Sequence, residues 1–326
     1  MCTMCSKTMR SRRNPIFCII PPNMLRHIIE AGDEHARAAA VRTLSVDMTF
    51  RMERAAAPLL KRRRRRGKSP SVTVRDAAHT STAPGPTIRR TTGQPPTGDA
   101  AVDEAYDGLI ATYDLYKTEF NRNSIDDKGL PLDATVHFGT QYDNAFWDGV
   151  QMVFGDGDGK YFNRFTIAID VIGHELTHGV TQIDSGLVYS NQSGALNESL
   201  SDVFGSLLKQ RALGQDAAHA DWLIGAGLFT PKVKGKALRS MRDPGTAYDD
   251  PILGKDAQPN HMSRYVVTAA DNGGVHINSG IPNRAFYLAA SAIGGEAWKK
   301  PGQIWYHALH SGSTKQTTDF AGFKED

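Results

Sequence analysis

Two histidines four residues apart, His174 and His178, and a glutamate 24 positions after the first, Glu198, constrain this 326-residue chain more than anything else in it. In an α-helix, residues four apart share a face, so His174-Glu175-Leu176-Thr177-His178 can aim two imidazoles at one ion. Glu175 then sits one position round the helix, where its carboxylate reaches a water in an open coordination position rather than the ion itself. The same five residues would also suit an amphipathic helix whose histidines are satisfied by water or backbone. The second segment is what points to a site. Glu198 falls in an expected helix over 195–210, whose buried side is marked by Ala195, Leu196, Leu200, Val203, Phe204, Leu207 and Leu208. Asp202 follows Glu198 by four positions, as a ligand and an acceptor that fixes a histidine tautomer would. Such a chain must pack two helices side by side, and the chemistry implied is metal-assisted hydrolysis.

The remaining pattern divides the chain in two. Alternating and short apolar runs predict a hairpin over 71–90, turning at Ala83-Pro84-Gly85-Pro86, and strands over 134–139 and 150–155, separated by 144–149. A helix is expected over 100–116. Beyond residue 168 the expected elements are mainly helices, over 169–182, 195–210, 282–292 and 301–310. The histidine helix thus falls where a strand-rich half meets a helix-rich half, a natural place for a cleft. Gly155-Asp156-Gly157-Asp158-Gly159 lacks the downstream glutamate of a calcium loop and reads as a tight turn.

Ahead of this body lies a helical, alanine-rich stretch over 24–60, with Leu25, Ile28, Ile29, Ala39, Val41, Leu44 and Met48 on its apolar faces. It ends at six adjacent cations, residues 61–66, which read as a solvated linker, either passive or a processing or address signal. Residues 1–70 carry 16 Lys/Arg against 5 Asp/Glu, and residues 71–326 carry 22 against 30. A basic arm of this kind could bind nucleic acid or anionic lipid, but its own acidic body is a sufficient partner and the favoured one. All three cysteines, Cys2, Cys5 and Cys18, fall in the first eighteen residues, so the body needs no disulfide. No apolar run approaches membrane-spanning length, and the run Ile16-Phe17-Cys18-Ile19-Ile20 is short for a secretory signal.

Five blocks in order carry a family resemblance: Tyr142-Asp143-Asn144-Ala145-Phe146-Trp147, Gly173 to Thr181 around the histidine pair, Gly194-Ala195-Leu196-Asn197-Glu198, Leu238-Arg239-Ser240-Met241, and Asp271-Asn272-Gly273-Gly274-Val275-His276-Ile277-Asn278-Ser279-Gly280. They resemble the thermolysin-like neutral zinc metalloproteases, and Ile20-Pro21-Pro22-Asn23-Met24-Leu25 resembles the short-propeptide, protealysin-like branch. The resemblance implies an α+β, thermolysin-like (zincin) fold with the zinc helix between its lobes. The expected domains are a basic propeptide with linker over 1–73, a strand-rich lobe over 74–181, and a helical lobe over 182–326 that lacks most of the family's last helix, which starts near Thr318.

The same resemblance assigns one catalytic zinc to His174, His178 and Glu198, with Asp202 as the partner of His174. Glu175 becomes the general base and later proton donor. His276 and Tyr189 become donors to the tetrahedral oxyanion, with Asp271 orienting His276. Asn144, the Ala145 carbonyl and Arg239 would hold the substrate backbone. Phe162, Phe165, Val171 and Leu238 would line a pocket favouring cleavage before a bulky apolar residue. Calcium-dependent members carry acidic ligands where this chain has Lys209, Leu223 and Ala226, leaving Asp170, Asp202 and Asp221, so the paired calcium site is expected to be absent. The implied protein is a metalloendopeptidase made as a zymogen. Its expected partners are protein or peptide substrates and its own propeptide, with no nucleic acid and no membrane, in a monomer. Secretion follows from the family, with a cytoplasmic location as the alternative. The rival functions are a catalytically impaired zinc-binding homologue and a nucleic-acid binder acting through the basic arm.

Overall fold

A computed structural model describes residues 17–56 and 71–324. Cys2, Cys5 and the cationic run at 61–66 lie outside the described residues. In chain order the helices are α1 (Pro22–Ala31), α2 (Glu34–Ala56), α3 (Ala100–Phe120), α4 (Ile169–Asp184), α5 (Asn191–Leu213), α6 (Asp271–Asn278), α7 (Gly280–Ile293), α8 (Lys300–His310) and α9 (Phe320–Lys324). The strands are β1 (Phe17–Cys18), β2 (Val72–Asp76), β3 (Thr87–Thr91), β4 (Leu132–Val136), β5 (Ala145–Trp147), β6 (Met152–Phe154), β7 (Leu223–Ile224), β8 (Arg239–Ser240), β9 (Asp249–Asp250) and β10 (Gly254–Lys255).

Six strands form one mixed sheet in the order β1-β5-β6-β4-β2-β3. The pairs β2–β4 and β4–β6 are parallel, and the others are antiparallel. Strand β1, which precedes the body in sequence, therefore lies at one edge of the body's own sheet. The segment 144–149, expected only to separate two strands, contains β5. All three of its residues are buried, so it shows no alternation to mark it as a strand. Strand β2 begins at Val72, two residues before the expected domain boundary, and Val72 is buried.

As far as Ala56, the expected stretch over 24–60 is two helices, broken at Gly32, whose Cβ would lie 2.4 Å from the Ile28 carbonyl oxygen, and residues 57–60 lie outside the described residues. After the break Asp33 accepts from Ala36 N–H at 3.1 Å and starts α2. Leu25 and Ile28 are buried as expected, whereas Val41 and Met48 face solvent. The hairpin β2–β3 forms, with a register shift between Val74 and Arg75. Helix α3 runs one turn further than expected and closes on Asn121, whose φ of 53° is left-handed. Asp99 caps its start by accepting from Ala101 N–H and Val102 N–H. Helix α6 was not anticipated. Asn272, Gly273 and Gly274 all have positive φ inside it, so the sequence carries no helical period there.

The apolar core runs continuously from the N-terminal residues Ile19, Ile20, Leu25 and Ile28 through α3 and α4 to α5 and α7. The N-terminal helices are thus packed into the same core as the body.

Candidate active site

Helices α4 and α5 approach each other through glycine. A Cβ on Gly205 would lie 2.4 Å from the Asp170 carbonyl oxygen and 3.2 Å from His174 N, and one on Gly173 would lie 3.2 Å from the Gly205 Cα. Without side chains at these two positions the helix backbones come close enough for Glu198 to reach the histidines.

His174, His178 and Glu198 are completely buried and offer ligand atoms within 4.8 Å of one another. The two Nε2 atoms are 3.0 Å apart, and each lies 3.5 Å from a different oxygen of Glu198. A tetrahedral ion with bonds of about 2.0–2.1 Å places neighbouring ligand atoms roughly 3.3 Å apart, so the spacing fits.

The outer edges of both rings fit the chemistry of a metal-donor set. His174 Nδ1–H donates to Asp202 Oδ1 at 2.8 Å, and His178 Nδ1–H donates to Asn197 Oδ1 at 2.7 Å. The Asn197 amide is oriented by its Nδ2, which donates to the Leu187 carbonyl at 3.5 Å. With protons on Nδ1, the two Nε2 atoms face each other as lone pairs, an arrangement that is repulsive unless a cation lies between them. Burial, and then His174, hold the His178 imidazole well below its ordinary range, which keeps it neutral as a ligand must be. Glu198 Oε2 is buried without a hydrogen-bond partner, as a carboxylate oxygen reserved for a metal would be.

Asp202 also accepts from Arg239 Nη2 at 2.7 Å and Nε at 2.8 Å, and from Asn283 Nδ2 at 2.8 Å. Burial acts to raise its pKa, but Arg239 and His174 outweigh it and hold the carboxyl below the usual carboxylate range. Glu175 is buried beside the cluster, with Oε2 accepting from Trp147 N–H at 3.0 Å and Oε1 unpartnered. Burial, then the charge of Glu198, push its pKa well above the ordinary value. Tyr189 OH donates to Glu198 Oε1 and lies 3.3 Å from His276 Nε2. His276 Nδ1–H donates to Asp271 Oδ1 at 2.7 Å. Burial acts against protonation, but Asp271 and then Glu198 raise the His276 imidazole to about 9.

The N-terminal segment occupies this cleft. Phe17 stacks on the His178 ring at 4.3 Å and meets Tyr189 edge-on at 4.8 Å. The Cys18 carbonyl accepts from His276 Nε2–H at 2.9 Å, and the Ile19 carbonyl accepts from Arg239 Nη1 at 3.1 Å. Ile19 N–H donates to the Ala145 carbonyl and Ile20 N–H to Asn144 Oδ1, both at 3.1 Å. From α2, Asp47 accepts from Asn144 Nδ2 at 3.0 Å and from Tyr142 OH, and Thr43 Oγ1 accepts from Asp143 N–H at 3.0 Å.

Of the four expected pocket residues, Leu238 lines a small cavity of about 20 Å³ with Pro21, Arg239 and His276. Phe162, Phe165 and Val171 are buried in the core cluster that also holds Ile19 and Ile20. The residues grouped as remnants of a calcium site separate. Lys209 Nζ lies 3.1 Å from Asp170 Oδ2 and 2.9 Å from Asp221 Oδ1 and donates to the Leu223 carbonyl at 2.5 Å. Asp202 is not part of that group, because it lies two helical turns before Lys209 and is turned to His174 and Arg239. Sequence reasoning also missed Asn197, Asn283, Trp147 and Asp47. Asn197 and Trp147 sit in quoted blocks without a role assigned to them, whereas Asn283 and Asp47 act through contacts with no local signature.

The catalytic-domain model of the thermolysin metallopeptidases matches residues 39–182, and the α-helical-domain model of the same family matches residues 185–326. The chain belongs to the thermolysin metallopeptidase family. Within this family it is 54% identical over 315 residues to an extracellular metalloprotease of Pectobacterium carotovorum subsp. carotovorum, covering 97% of this chain and 90% of that one. It is 46% identical to protease PrtS of Photorhabdus sp. (strain Az29), covering 97% and 86%. Among solved structures, the precursor of protealysin from Serratia proteamaculans superposes with a TM-score of 0.87 at 54% identity, covering 95% of this chain and 91% of that one. A thermolysin-family metallopeptidase of the protealysin-like kind is therefore a zinc-dependent endopeptidase, and His174, His178 and Glu198 form a cluster that could hold a metal ion. The alternative of an impaired homologue finds no support among these relatives.

Proposed function

We propose that the chain is the zymogen of a secreted zinc endopeptidase in which residues up to about 73 form an inhibitory prosegment and Glu175 is the catalytic base. The observation that carries this reading is the placement of a peptide carbonyl. The Cys18 oxygen lies on the His276 donor while the next residue is held at both its N–H and its carbonyl, beside the three-ligand cluster. The prosegment therefore lies along β5 as a substrate would, with Asn144 and Ala145 holding the backbone and Arg239 holding a carbonyl oxygen.

His174, His178 and Glu198 would hold the zinc, which when bound supplies a Lewis acid that polarises the scissile carbonyl and makes the attacking water more acidic. Glu175 takes the water's proton at Oε1, the oxygen left free when Trp147 N–H fixes Oε2, and returns it to the leaving amine. His276 donates from Nε2 to the developing oxyanion, with Asp271 fixing the ring. Tyr189 places its hydroxyl beside the same point. Asp202 positions His174 and Arg239 together, so one carboxylate sets both a metal ligand and a substrate-binding group.

Ile19 follows the carbonyl on His276 and shares a core cluster with Phe162, Phe165, Val171 and Leu238, which supports cleavage before bulky apolar residues. The Lys209 ammonium supports the absence of the paired calcium site, since a cation already stands against Asp170 Oδ2, Asp221 Oδ1 and the Leu223 carbonyl. The relatives named extracellular metalloproteases support secretion. Among the described residues no helix is long and apolar enough to cross a membrane. Protein substrates and the chain's own prosegment are its partners, and it acts as a monomer without nucleic acid.

The test is Glu175→Gln in the matured, zinc-loaded protein. The expected result is full zinc content with peptidase activity lowered by at least about 10²–10⁴-fold. Retained activity would remove Glu175 from the base role, and a protein without zinc or activity in either form would sink the reading.

A further inference from the structure

The parallel strands β2, β4 and β6 end along one side of the sheet, and each is followed within three residues by a metal-ligand side chain: His79, His137 and Asp156. Their ligand atoms lie within 4.8 Å of one another. The group is distinct from the cluster on α4 and α5, and the catalytic reading uses none of it.

Its geometry is built from the backbone. His79 and His137 both have left-handed φ, of 60° and 51°, a conformation uncommon outside glycine that turns the chain sharply at each ring. His79 N–H donates to the His137 carbonyl at 2.8 Å, and Gly139 N–H to the Thr80 carbonyl at 3.0 Å, tying the two loops together. Both imidazoles then direct Nδ1 at a single carboxylate oxygen. His137 Nδ1 is 2.9 Å and His79 Nδ1 3.5 Å from Asp156 Oδ2.

The far side of the His137 ring is held by Asp99 Oδ2, 3.1 Å from Nε2. Asp99 is itself fixed as the cap of α3. A carboxylate on one ring nitrogen with the other turned inward is the arrangement that orients a metal-ligating histidine. The neighbouring cations are already committed, Arg89 to Asp76 and Asp99, and Arg164 to Glu104. The approach is open, because the His79 side chain is 61% exposed and a hollow of about 360 Å³ adjoins His137 and Asp156.

We propose that His79, His137 and Asp156 form a second, surface metal site for a zinc-class divalent cation. Two imidazoles with one carboxylate select a late first-row ion over calcium or magnesium, which take oxygen ligands. Water completes the coordination, and binding displaces the Nδ1 proton of His137 into solvent. Spanning the ends of β2, β4 and β6, the ion would act as a clip on the sheet rather than in peptide hydrolysis.

The experiment is equilibrium dialysis of the full chain against buffered zinc, followed by metal analysis, with His79→Ala and Asp156→Asn beside the unaltered chain. The exposed His79 can be truncated without disturbing the core, and circular dichroism checks each variant's fold. The expected result is one zinc per chain more in the unaltered protein than in either folded variant, with excess calcium failing to compete. Equal zinc content in the unaltered chain and the folded His79→Ala variant would overturn the proposal, as would loss of the extra zinc to calcium.

Discussion

The N–H of Ile19 donates to the carbonyl of Ala145 at 3.1 Å, joining the N-terminal segment to the body's sheet at the point where a substrate backbone would enter. Phe17, two residues earlier on β1, is buried against His178 and Tyr189. Phe17→Ala removes a large buried aromatic at a cost of about 3–5 kcal/mol. That loss falls on the docked state of the prosegment, so the purified precursor is expected to gain activity faster than the unaltered chain. A time course of peptidase activity checks it, and an unchanged rate would mean Phe17 does not hold the segment down.

The close approach of α4 and α5 rests on glycine. In Gly205→Ala the new methyl group would meet the Asp170 carbonyl, which is backbone and cannot swing aside. The helices must separate, moving Glu198 away from His174. A loss of about 1–3 kcal/mol in stability is expected together with weaker zinc binding. Denaturant unfolding with and without zinc measures both, and a variant with normal zinc affinity would show that the helix spacing has slack.

Asp202 links His174 to Arg239. Asp202→Asn keeps the volume but removes the charge that both partners face and puts an amide donor where only acceptors fit. Zinc affinity is expected to fall about 10–100-fold. KM should rise as well, because Arg239 loses its anchor. Chelator competition and steady-state kinetics separate the two effects.

Lys209 stands among Asp170 and Asp221, and Lys209→Met leaves two carboxylates without their cation. A loss of about 3 kcal/mol is expected. Burial acts to lower the Lys209 pKa, but Asp170 and Asp221 raise it above 10.5. Its folded-state pKa therefore exceeds its unfolded one, so the contribution is complete below about 10.5 and disappears as the pH climbs through the raised value. The stability gap between variant and parent should be constant near neutrality and close in strong alkali. Calcium chelation with zinc maintained should leave the unfolding midpoint unchanged.

The candidate cluster was legible because four-residue spacing puts His174 and His178 on one helix face and a second expected helix carries Glu198, while the family resemblance assigned all three to zinc. The long amphipathic helices were legible from their periodicity. The family resemblance supplied His276, Tyr189 and Arg239, which no local period marks. What escaped was short or long-range. Strand β5 has three residues, all buried, and so presents no alternation. Helix α6 begins with three left-handed residues that local propensity reads as loop. Asp47 meets Asn144 across 97 residues, a contact that only the docked fold creates. Val41 and Met48 seemed core-facing by spacing, yet α2 buries another side.

Because β1 caps one end of the six-stranded sheet, maturation has a second effect besides freeing the cleft. Departure of the segment strips the Ala145 carbonyl of the Ile19 N–H and turns β5 into the outer strand of the sheet, open to pairing with an extended peptide, including a stretch of another copy. An emptied groove thus carries an uncovered sheet edge, the feature that natural sheets shield against unwanted pairing.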